Sequence, residues 1–340
     1  MTNRIAMLCL AAVLGTSAIA TGQGFTKTGM TGATFLSIEV GPRAKAMGGA
    51  FVGLANDLSA IYWNPAGLTQ NSKSAVMVSH SEWLADVNFD FVGAAFPIGG
   101  LGTIGASITS LSMPDQEVRT VFQPDGTGAL FSASDLALGL TYAKALTDRF
   151  SIGANVKYIQ NRIFNSSAST VAVDFGVLFV TDFAGTRFGA SISNFGGNLK
   201  MSGTDTELEV DVAPAQFGNN DRILANLRTD SFQPPLALRV GIATDVINRT
   251  NSQLTLAIDG VVPNDNAQYV NVGGEYMMFN ILALRAGYRT LLLTDSQEGL
   301  TLGAGLDYEI FAGTNFAVDY SYSDFGVLQN VQEIALRIDF

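Results

Sequence analysis

The sequence predicts an all-β protein: a transmembrane antiparallel β-barrel of about fourteen strands with a small N-terminal plug of helical and turn segments. Three observations lead there. Mean hydropathy is positive, yet no internal apolar run reaches the roughly 20 residues that a membrane helix needs. From residue 73 to residue 340 the chain is a long series of segments alternating apolar with polar or small residues. The links between them alternate as well. Short ones follow even-numbered segments and the longest follow odd-numbered ones, as in barrels with short periplasmic turns and long extracellular loops. A large soluble β protein is the other class that high apolar content without a membrane helix allows.

The chain starts with a compartment signal. Arg4 precedes the apolar run Ile5 to Leu14, and Ala18-Ile19-Ala20 fits a small-x-small cleavage site, so residues 1–22 are expected to be a signal peptide. Cys9, the single cysteine, lies inside that run and follows Leu8, which does not suit a lipoprotein cysteine. The mature chain would then lack cysteine, excluding a disulfide scaffold and any Cys–metal site. A net charge of −11 argues against nucleic acid and offers no basic surface to anionic lipid.

Residues 23–72 are expected to form a periplasmic segment and the plug. Up to residue 40 the chain is small and polar, with Phe25, Met30, Phe35 and Leu36 as anchors. Gly41 to Leu68 reads GPRAKAMGGAFVGLANDLSAIYWNPAGL and differs from everything after it. Ala44, Met47, Ala50, Phe51 and Leu54 fall at helical spacing, so a short helix is expected. Gly48, Gly49 and Gly53 weaken that helix and suit close approach to another backbone. Asn64-Pro65 forces a turn, with Tyr62 and Trp63 as an amphipathic anchor. A compact segment ahead of membrane-type strands would stop the mouth of a barrel. Gly48, Gly49, Trp63, Asn64 and Pro65 are its expected structural residues.

The runs Gly41-Pro42-Arg43-Ala44, Met47-Gly48-Gly49-Ala50-Phe51-Val52 and Ala60-Ile61-Tyr62-Trp63-Asn64-Pro65-Ala66-Gly67-Leu68 resemble the N-terminal signature of the PorV/PorQ family of outer-membrane proteins. That family is related to the FadL-like fatty acid transporters, which share the Asn-Pro-Ala turn. Lys45 departs from the pattern, standing where an apolar residue is expected. The resemblance implies a type IX secretion role: a carrier or anchor that binds secreted proteins and hands them to a sortase-like complex. The FadL relationship implies the alternative, a transporter of long-chain fatty acids or other hydrophobic small molecules.

The barrel is expected over residues 73–340, with strands near 74–81, 88–96, 102–112, 134–145, 150–162, 169–180, 187–194, 235–247, 252–262, 268–277, 281–290, 298–308, 315–322 and 331–340. Most approach the 9–11 residues of a tilted membrane strand. Leu238, Val240 and Ile242 oppose Arg239, Gly241 and Asp245, and Leu302, Leu306 and Tyr308 oppose Thr301, Gly303 and Asp307. Aromatic residues near strand ends, among them Tyr142, Phe179 and Tyr276, fit interfacial girdles, although aromatics are also good strand formers. An even strand count puts both termini on the periplasmic side. The terminal Phe340 resembles the signal read by the outer-membrane assembly machinery. Placement in the Gram-negative outer membrane, in contact with its lipid, follows.

No catalytic, cofactor-binding or metal-binding set emerges. Gly100-Leu101-Gly102-Thr103-Ile104-Gly105 matches a dinucleotide fingerprint, but the alternation of residues 103–112 makes it a hairpin turn rather than a helix start. His80, the single histidine, has no companion motif. Asp205, Glu207, Glu209 and Asp211 would share one face of a strand; a solvated loop is the simpler reading than a Ca²⁺ site. Arg187, Arg239, Arg285 and Arg289 fall on inward faces with Asp174, Asp245, Asp259, Asp307 and Asp319, as a network of paired lumen charges or a polar pathway. The loop 195–234 carries Leu208, Val210, Phe217, Ile223 and Leu224 among charges, with a short helix expected over 219–228, and is the expected partner-binding surface.

Overall fold

Lipid offers no hydrogen bonds, so a strand that crosses it must pair on both sides, and only a closed ladder does that for every strand. The computed structural model describes residues 28–216, 222–294, 296–311 and 313–340; the expected signal peptide and Phe217 lie outside them. Fourteen strands form the wall: β1 (Ala75–Trp83), β2 (Val87–Pro97), β3 (Thr103–Ser112), β4 (Ala133–Ala145), β5 (Phe150–Ile163), β6 (Ser166–Val180), β7 (Arg187–Gly196), β8 (Ala237–Arg249), β9 (Ser252–Pro263), β10 (Tyr269–Met278), β11 (Leu282–Leu291), β12 (Leu300–Phe311), β13 (Thr314–Asp324) and β14 (Asn330–Asp339). Each pairs antiparallel with its sequence neighbours. β1 closes the ring against β14, from Ala75↔Asp339 to Glu82↔Gln332. Beyond β14, Phe340 exchanges backbone hydrogen bonds with Ser74 and turns its exposed ring outward.

Alternation sets the two faces of the wall. Along β8, Leu238, Val240 and Ile242 are exposed on the outside, while Ala237, Arg239 and Ala243 are buried inside. The inward residues of β8 are small or charged: small where something must fit inside, charged where a partner waits. The Gly100–Gly105 motif is a turn, Gly99–Leu101, leading into β3. His80 points outward on β1, and its Nδ1 lies 2.7 Å from Asp90 Oδ1 on β2.

The long links are 113–132 and 197–236, both at the end opposite the termini. The link between β5 and β6, at the same end, is only Phe164–Asn165, so not every extracellular connection is long. Four register shifts break the ladder among the described residues; the one between β6 and β7 lies at Val173/Phe175. There Asp174 Oδ1 accepts from the backbone N of Asn194, which has φ +63°, and the ladder resumes at Val173↔Phe195.

The segment inside the ring contains a 3₁₀ turn (Thr34–Ser37), α1 (Pro42–Ala46), α2 (Ala60–Trp63) and a 3₁₀ helix (Pro65–Gln70). The helix expected to run through Leu54 stops at Ala46. Gly48 (φ +66°) and Gly49 (φ +73°) take left-handed backbone, which no helix continues. Met47, Ala50, Phe51, Leu54, Leu58, Ile61, Trp63 and Leu68 all lie in the buried core. This core is the contact between plug and wall.

Candidate functional site

A charge taken out of water needs a partner, and the plug's charges find theirs on the wall. Arg43 on α1 forms a fork on Glu275 of β10, with Nε at 2.8 Å from Oε2 and Nη2 at 2.7 Å from Oε1. Its Nη1 donates to Asn56 and Asp57 of the plug. Arg285 of β11 joins the same carboxylate at 2.6 Å and reaches Asp319 of β13 at 2.6 Å. Lys45 pairs with Glu333 of β14 at 2.5 Å and lies 5.3 Å and 5.5 Å from the ring centres of Trp83 and Phe89. This explains the lysine at an otherwise apolar position. Glu39 pairs with Arg289 of β11 at 3.1 Å. Asp259 Oδ2 on β9 accepts from the backbone N–H groups of Phe51 and Val52 at 2.7 Å and 2.8 Å.

Two plug carboxyls respond in opposite directions. Burial is the largest influence on Glu39 and pushes its carboxyl above the ordinary value despite Arg289. Burial also opposes charge on Asp57, but Arg43, Arg337 and the Ser59 hydrogen bonds outweigh it and hold this carboxyl below its ordinary value.

The other side of the plug is held by shape. Asn64 Nδ2 donates to the carbonyls of Val52 and Val177, each at 3.0 Å, and its Oδ1 accepts from Ala66 N. Trp63 Nε1 donates to Val40 O at 2.9 Å, and Arg239 of β8 lies 5.6 Å from the Trp63 ring centre. Pro65 and Ala66 lie against Gly153 of β5, where a Cβ would overlap their backbone. On the ionic side, too, Gly48 meets β10 and β11 as closely: a Cβ there would stand 2.7 Å from Tyr288 N and 2.8 Å from Val272 O. At Gly49 the Glu39 carboxylate fills the same space.

The nine lumen charges do not act as one set. Arg285–Asp319, Arg289 and Asp259 bear on the plug. Arg239 donates to Ser193 Oγ at 2.8 Å and stacks on Tyr62 and Trp63. Arg187–Asp245 pair within the wall at 2.5 Å. Asp174 pairs with Lys157 at 2.8 Å beside the β6–β7 bulge. Asp307 takes Arg337 at 3.0 Å near the periplasmic rim. Sequence reasoning missed the partners Glu39, Arg43, Lys45, Asp57, Lys157, Glu275 and Glu333. Their signal was position: Glu275 and Glu333 sit at inward places of otherwise apolar alternation.

At the extracellular end the loops carry apolar groups. The 113–132 link is a hairpin in which Gln116–Glu117 pair with Leu130–Phe131. Its Thr120–Gln123 turn presents Val121 and Phe122 at 93% and 94% exposure. In the 197–236 link, Glu207–Val210 pair with Ile223–Asn226. Within the expected 219–228 helix, Ile223–Asn226 are therefore strand, because they find a partner edge; residues 219–221 lie outside the described residues. Leu208 and Leu224 are exposed. Asp205, in the acidic run for which a solvated loop is the simpler reading, accepts from Asn165 and Ser166. Beneath these loops lies a cavity of about 720 Å³, floored by residues 31–34 and walled by the outer ends of β2, β3, β4, β5 and β6 and by Leu199, Met201 and Phe232.

The family model described as type IX secretion system protein PorV matches residues 22–228, more than half of the chain. No curated protein sequence matches. Among solved structures, the Pseudomonas putida toluene transporter TodX superposes with a TM-score of 0.54 at 14% identity, covering 88% of this chain and 97% of its own. A Pseudomonas aeruginosa FadL homologue gives 0.53 at 12% identity, covering 88% and 96%. At such identities these likenesses establish the fold: a FadL-like outer-membrane barrel.

Proposed function

The chain belongs to the PorV family of type IX secretion system proteins, and from that premise we propose that it acts as a carrier or anchor for secreted proteins, by protein–protein binding at its extracellular loops. The role is non-catalytic. One observation carries the reading beyond family membership: Val121 and Phe122 occupy the tip of a hairpin turn, where polar residues and glycine are the rule, and they stand almost wholly in water. Apolar groups presented this way on a rigid scaffold are suited to burial against another protein. The plug beneath is latched to the wall, which suits a platform better than a conduit.

Cross-linking in the native membrane, detergent purification and mass spectrometry test this. Secreted proteins sharing a C-terminal domain, or a sortase-like complex, should co-purify above a control barrel. V121S/F122S should reduce that recovery by about tenfold, equivalent to about 1.4 kcal/mol of lost binding. Unchanged recovery from this variant would refute the assignment to the hairpin tip, and absence of any protein partner would sink the carrier reading. A second reading, uptake of hydrophobic small molecules, is favoured by the extracellular cavity; enrichment of an apolar ligand without a protein partner would put it first.

A further inference from the structure

We propose that the extracellular cavity is a binding site for small amphipathic cations, with an apolar body and a protonated amine, and that it selects against carboxylates. The proposal stands on the cavity alone and on neither functional reading above.

The cavity's volume, about 720 Å³, is that of a small-molecule site. Its walls are mostly apolar. Leu111, Met113, Ile163, Leu199, Met201 and Phe232 give it two flexible thioethers and one aromatic face. Such a surface accepts the body of an amphiphile and leaves selection to its few polar groups.

Those groups carry one sign. Asp135 and Asp230 line the cavity, and no Lys, Arg or His does among the described residues. Asp135 lies at the extracellular end of β4, half-buried in the wall. Its only side-chain partner among the described residues is Asn161, whose Nδ2 donates to Oδ1 at 2.6 Å, which leaves Oδ2 without a protein donor. Asp230 is exposed at the rim and makes no hydrogen bond or ion pair among the described residues. The contrast with the lumen is chemical. There nearly every buried carboxylate faces an arginine or a lysine, whereas here the counter-charge is missing from the protein. In a half-enclosed apolar space, where water screens less than in bulk, a ligand ammonium is attracted to Asp135 and a ligand carboxylate repelled. A hydroxyl falls between, since it can donate to Oδ2 without gaining the charge.

The test uses the full chain, folded in a non-ionic detergent, and three water-soluble probes on one skeleton: phenylbutylamine, phenylbutanol and phenylbutyrate. Binding is measured by calorimetry at neutral pH. The amine should bind about tenfold more tightly than the carboxylate, with the alcohol between. D135N/D230N should abolish the preference and leave the alcohol bound, because Asn keeps the shape and its amide N–H can donate to the hydroxyl where Oδ2 would accept from it. D148N, which alters an exposed acid at the opposite end of the barrel, should leave the preference intact; this separates the cavity from the general attraction of an acidic protein. Three results would overturn the proposal: phenylbutyrate binding as tightly as the amine, no probe binding, or a preference undiminished in D135N/D230N. Heat-dependent mobility in gels shows that each variant is folded.

Discussion

The plug meets the barrel on two sides, and the sides are built differently. Toward β10, β11, β13 and β14, α1 and the residues just before it are held by ions: the Arg43 fork on Glu275, the Lys45–Glu333 pair and the Glu39–Arg289 pair. Toward β4, β5 and β6, the Pro65–Gln70 helix is held by missing side chains and by one amide, Asn64. An ionic contact stabilises only while both partners remain, because one alone is a buried charge. A glycine contact fails as soon as any Cβ is added. The first side is therefore sensitive to loss of a charge, as well as to a Cβ at Gly48, whereas the second answers mainly to gain.

The largest effect should come from the ionic side. Arg43→Met removes four hydrogen bonds and leaves Asp57 buried without its main counter-charge. A loss of about 3–5 kcal/mol is expected, read as a lower urea midpoint of unfolding in detergent. A loss below about 1 kcal/mol would show that the plug is not latched by this group. On the other side, Gly153→Ala brings a Cβ against the backbone of Pro65 and Ala66, which no rotamer change relieves. The expected cost is about 1–3 kcal/mol. Gly260→Ala serves as the control: on β9, the nearest atom to its added Cβ would be Val240 O at 3.9 Å, and stability should hold.

The same contrast governs what the sequence revealed. The strands were legible because alternation is written residue by residue, and lipid imposes it on every strand. The inward places of Arg285, Asp259 and Asp319 were legible for that reason. Their partners were not, since Arg43 and Glu275 are 232 positions apart and nothing local marks them as a pair. Lys45 was visible only as an exception; Glu333 and two aromatic rings supply its reason. Gly153 looked like any barrel glycine, because the backbone that it admits belongs to a distant turn. Helical spacing after Ala44 misled because the Gly48–Gly49 backbone geometry decides where that helix ends. The cavity was illegible altogether, being assembled from the plug, five strand ends and a remote loop.

The finest division between the two sides is made by Lys45 and Glu333. Both side chains are nearly sealed from water, so the pair forfeits two hydration shells to gain one contact. Replacing such a pair by matched uncharged groups is often neutral, whereas removing one partner is costly. Glu333 has a second duty, since its Oε1 accepts from the backbone N of Gly41 at 3.1 Å. The matched replacement must keep that acceptor, which glutamine does, while methionine fills the path of the lysine stem between Trp83 and Phe89. K45M alone should then cost about 3–5 kcal/mol, and K45M/E333Q should return to within about 1 kcal/mol of the parent. A double variant as unstable as K45M would mean that the cation over the two rings, rather than the ion pair, holds this corner of the plug.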